Sequence, residues 1–221
     1  MDVYEAVTSR RSVRGFIDEP VSRVVLERVL AAAAWSPSGS NIQPWKIYVV
    51  TGKPLAELKT HAVERVSHGD PWDERQYEMY PRALKAPYGE RRSAFGRERY
   101  GALGIAREDL EARQRAAIAN WRCFGAPAAL FCYIDRDMGQ PQWADVGMYL
   151  QTVMLLLRAE GLPSCPQMAW SQVRDGRGGP VTLGRAHPLL RHVDRVRGPH
   201  GELCPYGPRR AQRDRHFPGR F

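Results

Sequence analysis

Between Ala144 and Ala159 the chain sets Val146, Met148, Tyr149, Leu150, Val153, Met154, Leu155, Leu156 and Leu157 nearly all the way round a helical wheel, with Gly161 placed to end the helix. A helix that is apolar on every side must be covered on every side. The segment therefore predicts the centre of the fold, either as a core helix or as one buried in an interface between subunits.

The elements that can cover it are readable from periodicity. Residues 2–9 predict a short helix, and Ser22 an N-cap for a helix through Ala34 whose Val25, Leu26, Val29, Leu30 and Ala33 share one face. Lys46 to Val50 is a β-rich run stopped by Thr51-Gly52, and Leu55 to about Val66 reads as a further helix. Arg107 to Trp121 predicts a charged helix with a weak apolar stripe. After Gly125-Ala126-Pro127, the run Ala128 to Ile134 predicts a strand apolar on both faces, hence a central one. From Ser67 to Ile105 no single period holds, and Trp72, Tyr77, Tyr80, Tyr88, Phe95 and Tyr100 are scattered among Pro and Gly breaks. That segment reads either as a flap that selects substrates or as a solvated insertion packed down by its aromatics.

Two motifs flank the predicted Ser22–Ala34 helix. Arg10-Arg11-Ser12-Val13-Arg14 crowds three guanidinium groups and a hydroxyl into five residues, a composition suited to a doubly charged phosphate because Arg offers fork-shaped donors and a permanent charge. Ser36-Pro37-Ser38-Gly39-Ser40-Asn41-Ile42-Gln43-Pro44-Trp45 is a loop of small polar residues that can lie against a planar polar ring. An isolated Arg-Arg pair would read as a solvated basic turn. Two motifs in this order and at this separation are far more specific.

Together they resemble the nitroreductase family of FMN-dependent flavoproteins, and the resemblance covers about the first 170 residues, through the Ala144–Trp170 region. It implies an α+β fold, a nitroreductase-like mixed β-sheet core flanked by helices, assembled as a homodimer with two flavins between subunits. It also implies that Arg10, Arg11, Ser12 and Arg14 anchor the FMN phosphate and ribityl chain, with Arg11 in particular either one of these anchors or turned outward or toward the ring edge. Pro37, Ser38, Gly39 and Asn41 match the family loop that reaches the flavin from the opposite subunit. Gln43 is either a ligand or, with Trp45, a brace for that loop. Ser164-Cys165-Pro166-Gln167-Met168 falls where the family places a loop over the flavin ring, so Cys165, Pro166 and Gln167 are expected there.

On this resemblance FMN carries the reaction at its N5 position, taking a hydride from NADH or NADPH and passing it to a nitroaromatic or quinone-like small molecule in ping-pong exchange. No catalytic side chain is then required, in keeping with the absence of a Ser/His/Asp constellation, a carboxylate pair, a metal-ligand cluster or a Gly-rich dinucleotide fingerprint. Cys165 is expected to line the pocket rather than act as a nucleophile. Reduction of an activated alkene or a halogenated aromatic is the rival activity, and an inactive truncated or frameshifted family member the non-catalytic rival.

Residues 1–175 are expected to form the FMN-binding domain, and 176–221 an atypical tail rich in Arg, Gly, Pro and His. Of 33 basic and 24 acidic residues in a chain of net charge +9, eleven Arg and four acids lie in residues 171–221, so the body is nearly neutral. The tail has little apolar surface to offset chain entropy. It reads as GC-rich coding out of frame or as a genuine disordered basic segment, and it carries no nucleic-acid-reading motif, so no nucleic-acid partner is expected. Cys123, Cys132, Cys165 and Cys204 show neither C-x-x-C spacing nor a disulfide framework. With no membrane-length apolar run and no signal-like start, a cytoplasmic protein without a membrane partner is expected.

Overall fold

The computed structural model describes residues 1–68 and 78–172. In chain order the elements are α1 (Val3–Ser9), α2 (Arg23–Ala33), β1 (Lys46–Thr51), α3 (Gly52–Ser67), α4 (Tyr88–Ala102), α5 (Leu110–Ile118), β2 (Ala128–Tyr133) and α6 (Gln140–Ala159). The expected tail at 176–221, and Trp72 and Tyr77 of the expected flap, lie outside the described residues.

Strands β1 and β2 pair antiparallel, with Lys46 opposite Tyr133 and Thr51 opposite Ala128. Their pleat sends alternate residues to opposite faces. Ile47 and Val49, with Leu130 and Cys132, pack on α2 and α6 through Val29, Leu30, Ala33, Trp45, Tyr149 and Val153. Val50, with Ala129 and Phe131, packs instead on Leu55 and Leu58 of α3 and on Cys123. The result is a sheet held between helical layers, and a parallel bridge between Ser12 and Ser164 adds a contact of the other sense.

Helix α6 is the spine. Asp145, Tyr149 and Val153 are its buried residues, four apart and therefore in one row, and Tyr149 stacks on Trp45 with ring centroids 4.7 Å apart. Its opposite side is less covered than the apolar sequence demands: Met148 is 40% exposed and Trp143 45%. The helix starts four residues before the expected Ala144, because the Gln142 side chain accepts the Gly139 N–H at 3.1 Å and Pro141 suits a first turn. It ends as expected at Gly161, whose φ of +79° allows the N–H groups of Gly161 and Leu162 to reach the carbonyls of Arg158 and Leu157.

Two expectations need correction. The Ser67–Ile105 stretch contains a regular helix, α4, invisible to periodicity because it buries no residue and is interrupted by Gly96 and Gly101. The charged helix expected over Arg107–Trp121 is confined to Leu110–Ile118 and starts where the Asp109 side chain accepts the Ala112 N–H at 2.8 Å. Among the described residues β2 pairs with β1 alone; all six of its residues are half-buried, and a cleft of about 1060 Å³ runs along it.

Replacing Trp45 by Ala removes the ring that Tyr149 stacks on, and the cavity should cost about 3–5 kcal/mol of unfolding free energy. Chemical denaturation of the two proteins checks this.

Candidate active site

The Arg motif follows the C-terminus of α1 and is fixed from two directions. The Val13 N–H donates to the Ser164 carbonyl at 3.1 Å within the Ser12–Ser164 bridge, and Arg158 of α6 donates through Nε to Ser9 Oγ at 2.9 Å. The basic cluster is thus stitched to the 164–167 loop that the sequence places a hundred and fifty positions away.

Its arginines do different work. Arg11 folds back, donating to the carbonyls of Thr8 at 2.6 Å and Arg10 at 3.0 Å, so it caps α1 instead of facing the cluster. Arg14 donates to the Ser12 carbonyl at 3.3 Å and lies over the Phe95 ring of α4, 5.6 Å from its centroid. Arg10 keeps Nη1 buried with no hydrogen-bond partner. The same is true of Arg99 Nε, on α4, and of Ser164 Oγ. Cys165 sits among them: burial pushes its thiol up from its ordinary value, opposed by the positive charges of Arg14, Arg99 and Arg10.

A buried donor left unmade is costly, and guanidinium groups gathered without a carboxylate repel one another. Three unpartnered polar atoms from three segments therefore mark a place built for an anion. Nitrogen and hydroxyl donors without a carboxylate suit a phosphate ester, so the residues present fit the tail of FMN. Among the described residues no group of His, Cys, Asp and Glu could hold a metal ion.

The 164–167 loop faces the cleft as well. Ser164, Cys165, Pro166 and Gln167 line it together with residues of β2, α2 and α6, while Arg10, Arg14 and Arg99 do not. One loop thus separates a cationic cluster from an apolar cleft. Gln167 is less available than expected, since its Nε2 donates to the Asn120 carbonyl at 2.9 Å.

The Ser36–Trp45 loop lies elsewhere. Gly39 donates to the buried carboxylate of Asp145 at 3.2 Å, Ser36 Oγ donates to Thr152 Oγ1 at 2.9 Å, and the Gln43 N–H donates to Ser38 Oγ at 2.9 Å. The Gln43 side chain donates to Asn41 Oδ1 at 2.6 Å, and Ser40, Asn41 and Gln43 all have positive φ. Gln43 and Trp45 brace the loop, and Pro37, Gly39 and Asn41 remain exposed. None of Pro37, Ser38, Gly39, Asn41 or Gln43 lines the cleft. Asp145 and Arg158, which hold the two motifs, are thirteen residues apart on α6, or about 20 Å at 1.5 Å per residue. One chain brings the Arg motif to the 164–167 loop but keeps the Ser/Gly/Asn loop away from both.

A model of the nitroreductase family matches residues 7–175. The chain belongs to that family. It is similar to the nitrobenzene nitroreductase of Ectopseudomonas oleovorans, with 36% identity over 167 residues that cover 76% of this chain and 74% of the relative. It is also similar to the 4-nitrobenzoate reductase of Pseudomonas putida, at 37% over 171 residues, 77% of this chain and 74% of the relative. Among solved structures, the FMN and NADPH-dependent nitroreductase NfnB from Sphigopyxis sp. strain HMH superposes with a TM-score of 0.75 at 45% identity, covering 78% of this chain and 77% of that one. The FMN-dependent NfnB of Mycobacterium smegmatis, in complex with NADPH, does so with a TM-score of 0.72 at 30% identity, covering 76% and 75%. The nitroreductase fold expected from the two motifs is therefore the fold of this chain.

Sequence reasoning missed Asp145, Arg158 and Arg99. A lone acid in the most apolar helix, one turn before Tyr149, was a signal for Asp145. Arg99 is one of several arginines on α4 and carried none.

Two outcomes are expected. Asp145→Ala should leave the Gly39 N–H without its acceptor and speed amide exchange in residues 38–43 by about tenfold or more, with Asp145→Asn intermediate; exchange mass spectrometry reads this. The thiols of Cys123 and Cys132, pushed up by burial to about 11 and about 12, should be almost wholly protonated at pH 8 and resist alkylation in the native protein, with Cys165 slowed in the same sense. Peptide mapping after timed iodoacetamide exposure checks it.

Proposed function

We propose that this nitroreductase-family chain is an FMN-dependent oxidoreductase that uses NADH or NADPH to reduce nitroaromatic or quinone-like acceptors. The observation that carries the reading is the buried, unpartnered pair Arg10 Nη1 and Ser164 Oγ beside the 164–167 loop, a donor set for a phosphate at the edge of an apolar cleft. The relatives named above act on nitrobenzene and 4-nitrobenzoate, and the solved neighbours depend on FMN and NADPH.

FMN, when bound, would supply the two-electron chemistry between the nicotinamide and the acceptor. The protein's residues bind and orient. Arg10 and Ser164 hold the phosphate, while Ser12 and Val13 register that anchor against the ring-side loop through the backbone bridge. Cys165, Pro166 and Gln167 present backbone and side-chain groups to the ring. The cationic cluster favours added negative charge on a reduced ring, and the apolar cleft excludes water from it. Cys165 stays a protonated, pocket-lining thiol.

The functional unit is a homodimer in which the Gly39–Asn41 loop of one copy meets the flavin of the other. The 20 Å separation along α6 supports this, because a single chain cannot bring both motifs to one ring. Exposed apolar side chains on α1 (Val3, Tyr4, Val7), with Trp35 and Met148, supply an adhesive surface for the second copy. Among the described residues no helix is long and apolar enough to cross a membrane.

The purified protein should be yellow, bleach on addition of NADPH without oxygen, and regain its colour with 4-nitrobenzoate; a colourless protein that ignores added FMN would overturn the reading. Arg10→Ala should weaken FMN binding by about tenfold or more. Mixed dimers of Arg10→Ala and Asn41→Trp chains should recover activity that neither variant dimer shows, since one site in each mixed dimer is intact.

A further inference from the structure

The Arg motif is not the only source of positive charge at the anion site. Helix α4 meets the Arg motif through Phe95, and Phe95 and Arg99 lie one turn apart on a common face of that helix. Phe95 meets Arg14 at 5.6 Å, which fixes that face toward the cluster. One turn on, the Arg99 guanidinium packs on the neighbouring Tyr100 ring at 5.6 Å and leaves its Nε buried and without a partner. The exposed Arg92 of the same helix lies instead over the Tyr80 ring at 4.3 Å.

We propose that Arg99 is a third phosphate ligand, donating from α4 to the same anionic tail that Arg10 and Ser164 hold, so that the nucleotide pins α4 over its own binding site. The proposal rests on the flavin reading above and extends it to a residue outside the Arg10–Arg14 motif. Three observations support it independently of any flavin. The Nε of Arg99 is buried without a partner, as a ligand atom awaiting its anion would be. Its positive charge, like those of Arg14 and Arg10, opposes the upward push that burial gives the Cys165 thiol, so the three guanidinium groups act on one electrostatic neighbourhood. No carboxylate is hydrogen-bonded or ion-paired to Arg10, Arg14 or Arg99 among the described residues, so none of these offsets their mutual repulsion, and an entering anion relieves it. A dianion does this better than a monoanion. A flavin without a phosphate does not do it at all.

The consequence is a phosphate preference divided between two segments. Binding of FMN and of riboflavin, which shares the ring and lacks the phosphate, is measured by quenching of flavin fluorescence for the full chain, Arg99→Gln, Arg10→Ala and the exposed control Arg97→Gln. Arg99→Gln should weaken FMN about tenfold or more and leave riboflavin unchanged, Arg99→Lys should recover part of the loss, and Arg97→Gln should match the unaltered protein. An Arg99→Gln protein that keeps the full preference for FMN, while Arg10→Ala loses it, would overturn the role of Arg99 and leave the flavin reading standing. Equal weakening of both flavins would likewise overturn it, since Arg99 would then be supporting the fold or the ring. If the unaltered protein binds FMN no better than riboflavin, the phosphate site itself is wrong and the proposal falls with it.

Discussion

One buried row on α6 organises the molecule. Asp145, Tyr149 and Val153 follow at four-residue intervals, and each is committed to a different neighbour: the Gly39 amide, the Trp45 ring, and the apolar layer of α2. A helix with so much apolar surface is driven inward by water, and that drive places the carboxylate of Asp145 where it would be costly without a donor. The backbone N–H of Gly39 supplies the donor. The placement of the Ser/Gly/Asn loop is therefore a by-product of core formation.

The same rigidity divides the site. Because α6 holds one motif at Asp145 and the other near Arg158, the rise of the helix keeps them about 20 Å apart in one chain. The cationic half is assembled from one chain's segments: the Ser12–Ser164 bridge joins the Arg motif to the 164–167 loop, and Phe95 of α4 packs on Arg14. The electrostatics follow from this packing. Like charges brought together by backbone registration, with no carboxylate between them, form a high-energy arrangement that an anion relieves, while burial keeps Cys165 protonated despite the positive field around it.

Much of this was legible before any coordinates. The faces of α2, the strand at Lys46, the close of α6 at Gly161 and the pairing of two separated motifs all follow local rules of period, propensity and turn chemistry, and local rules can be read along a chain. Helix α4 was not legible, because a helix none of whose residues is wholly buried leaves no apolar stripe. The apolar run of β2 is legible as a covered strand, but apolar residues on both faces say nothing about which strands bond along its edges. Gln43 and Arg11 show the same limit at single residues. Both belong to family motifs, yet one hydrogen-bonds within its own loop and the other caps its own helix.

The sequence by itself determined the family, the central helix, and the two motifs whose composition suits an anion and a planar ring, because each is a property of neighbouring residues. Only the tertiary structure decided which of those residues face one another. It joined Ser12 to Ser164, set Phe95 of α4 against Arg14, and held Gly39 away from the Arg motif, because such pairings depend on how distant segments pack together, and sequence spacing carries no record of that distance.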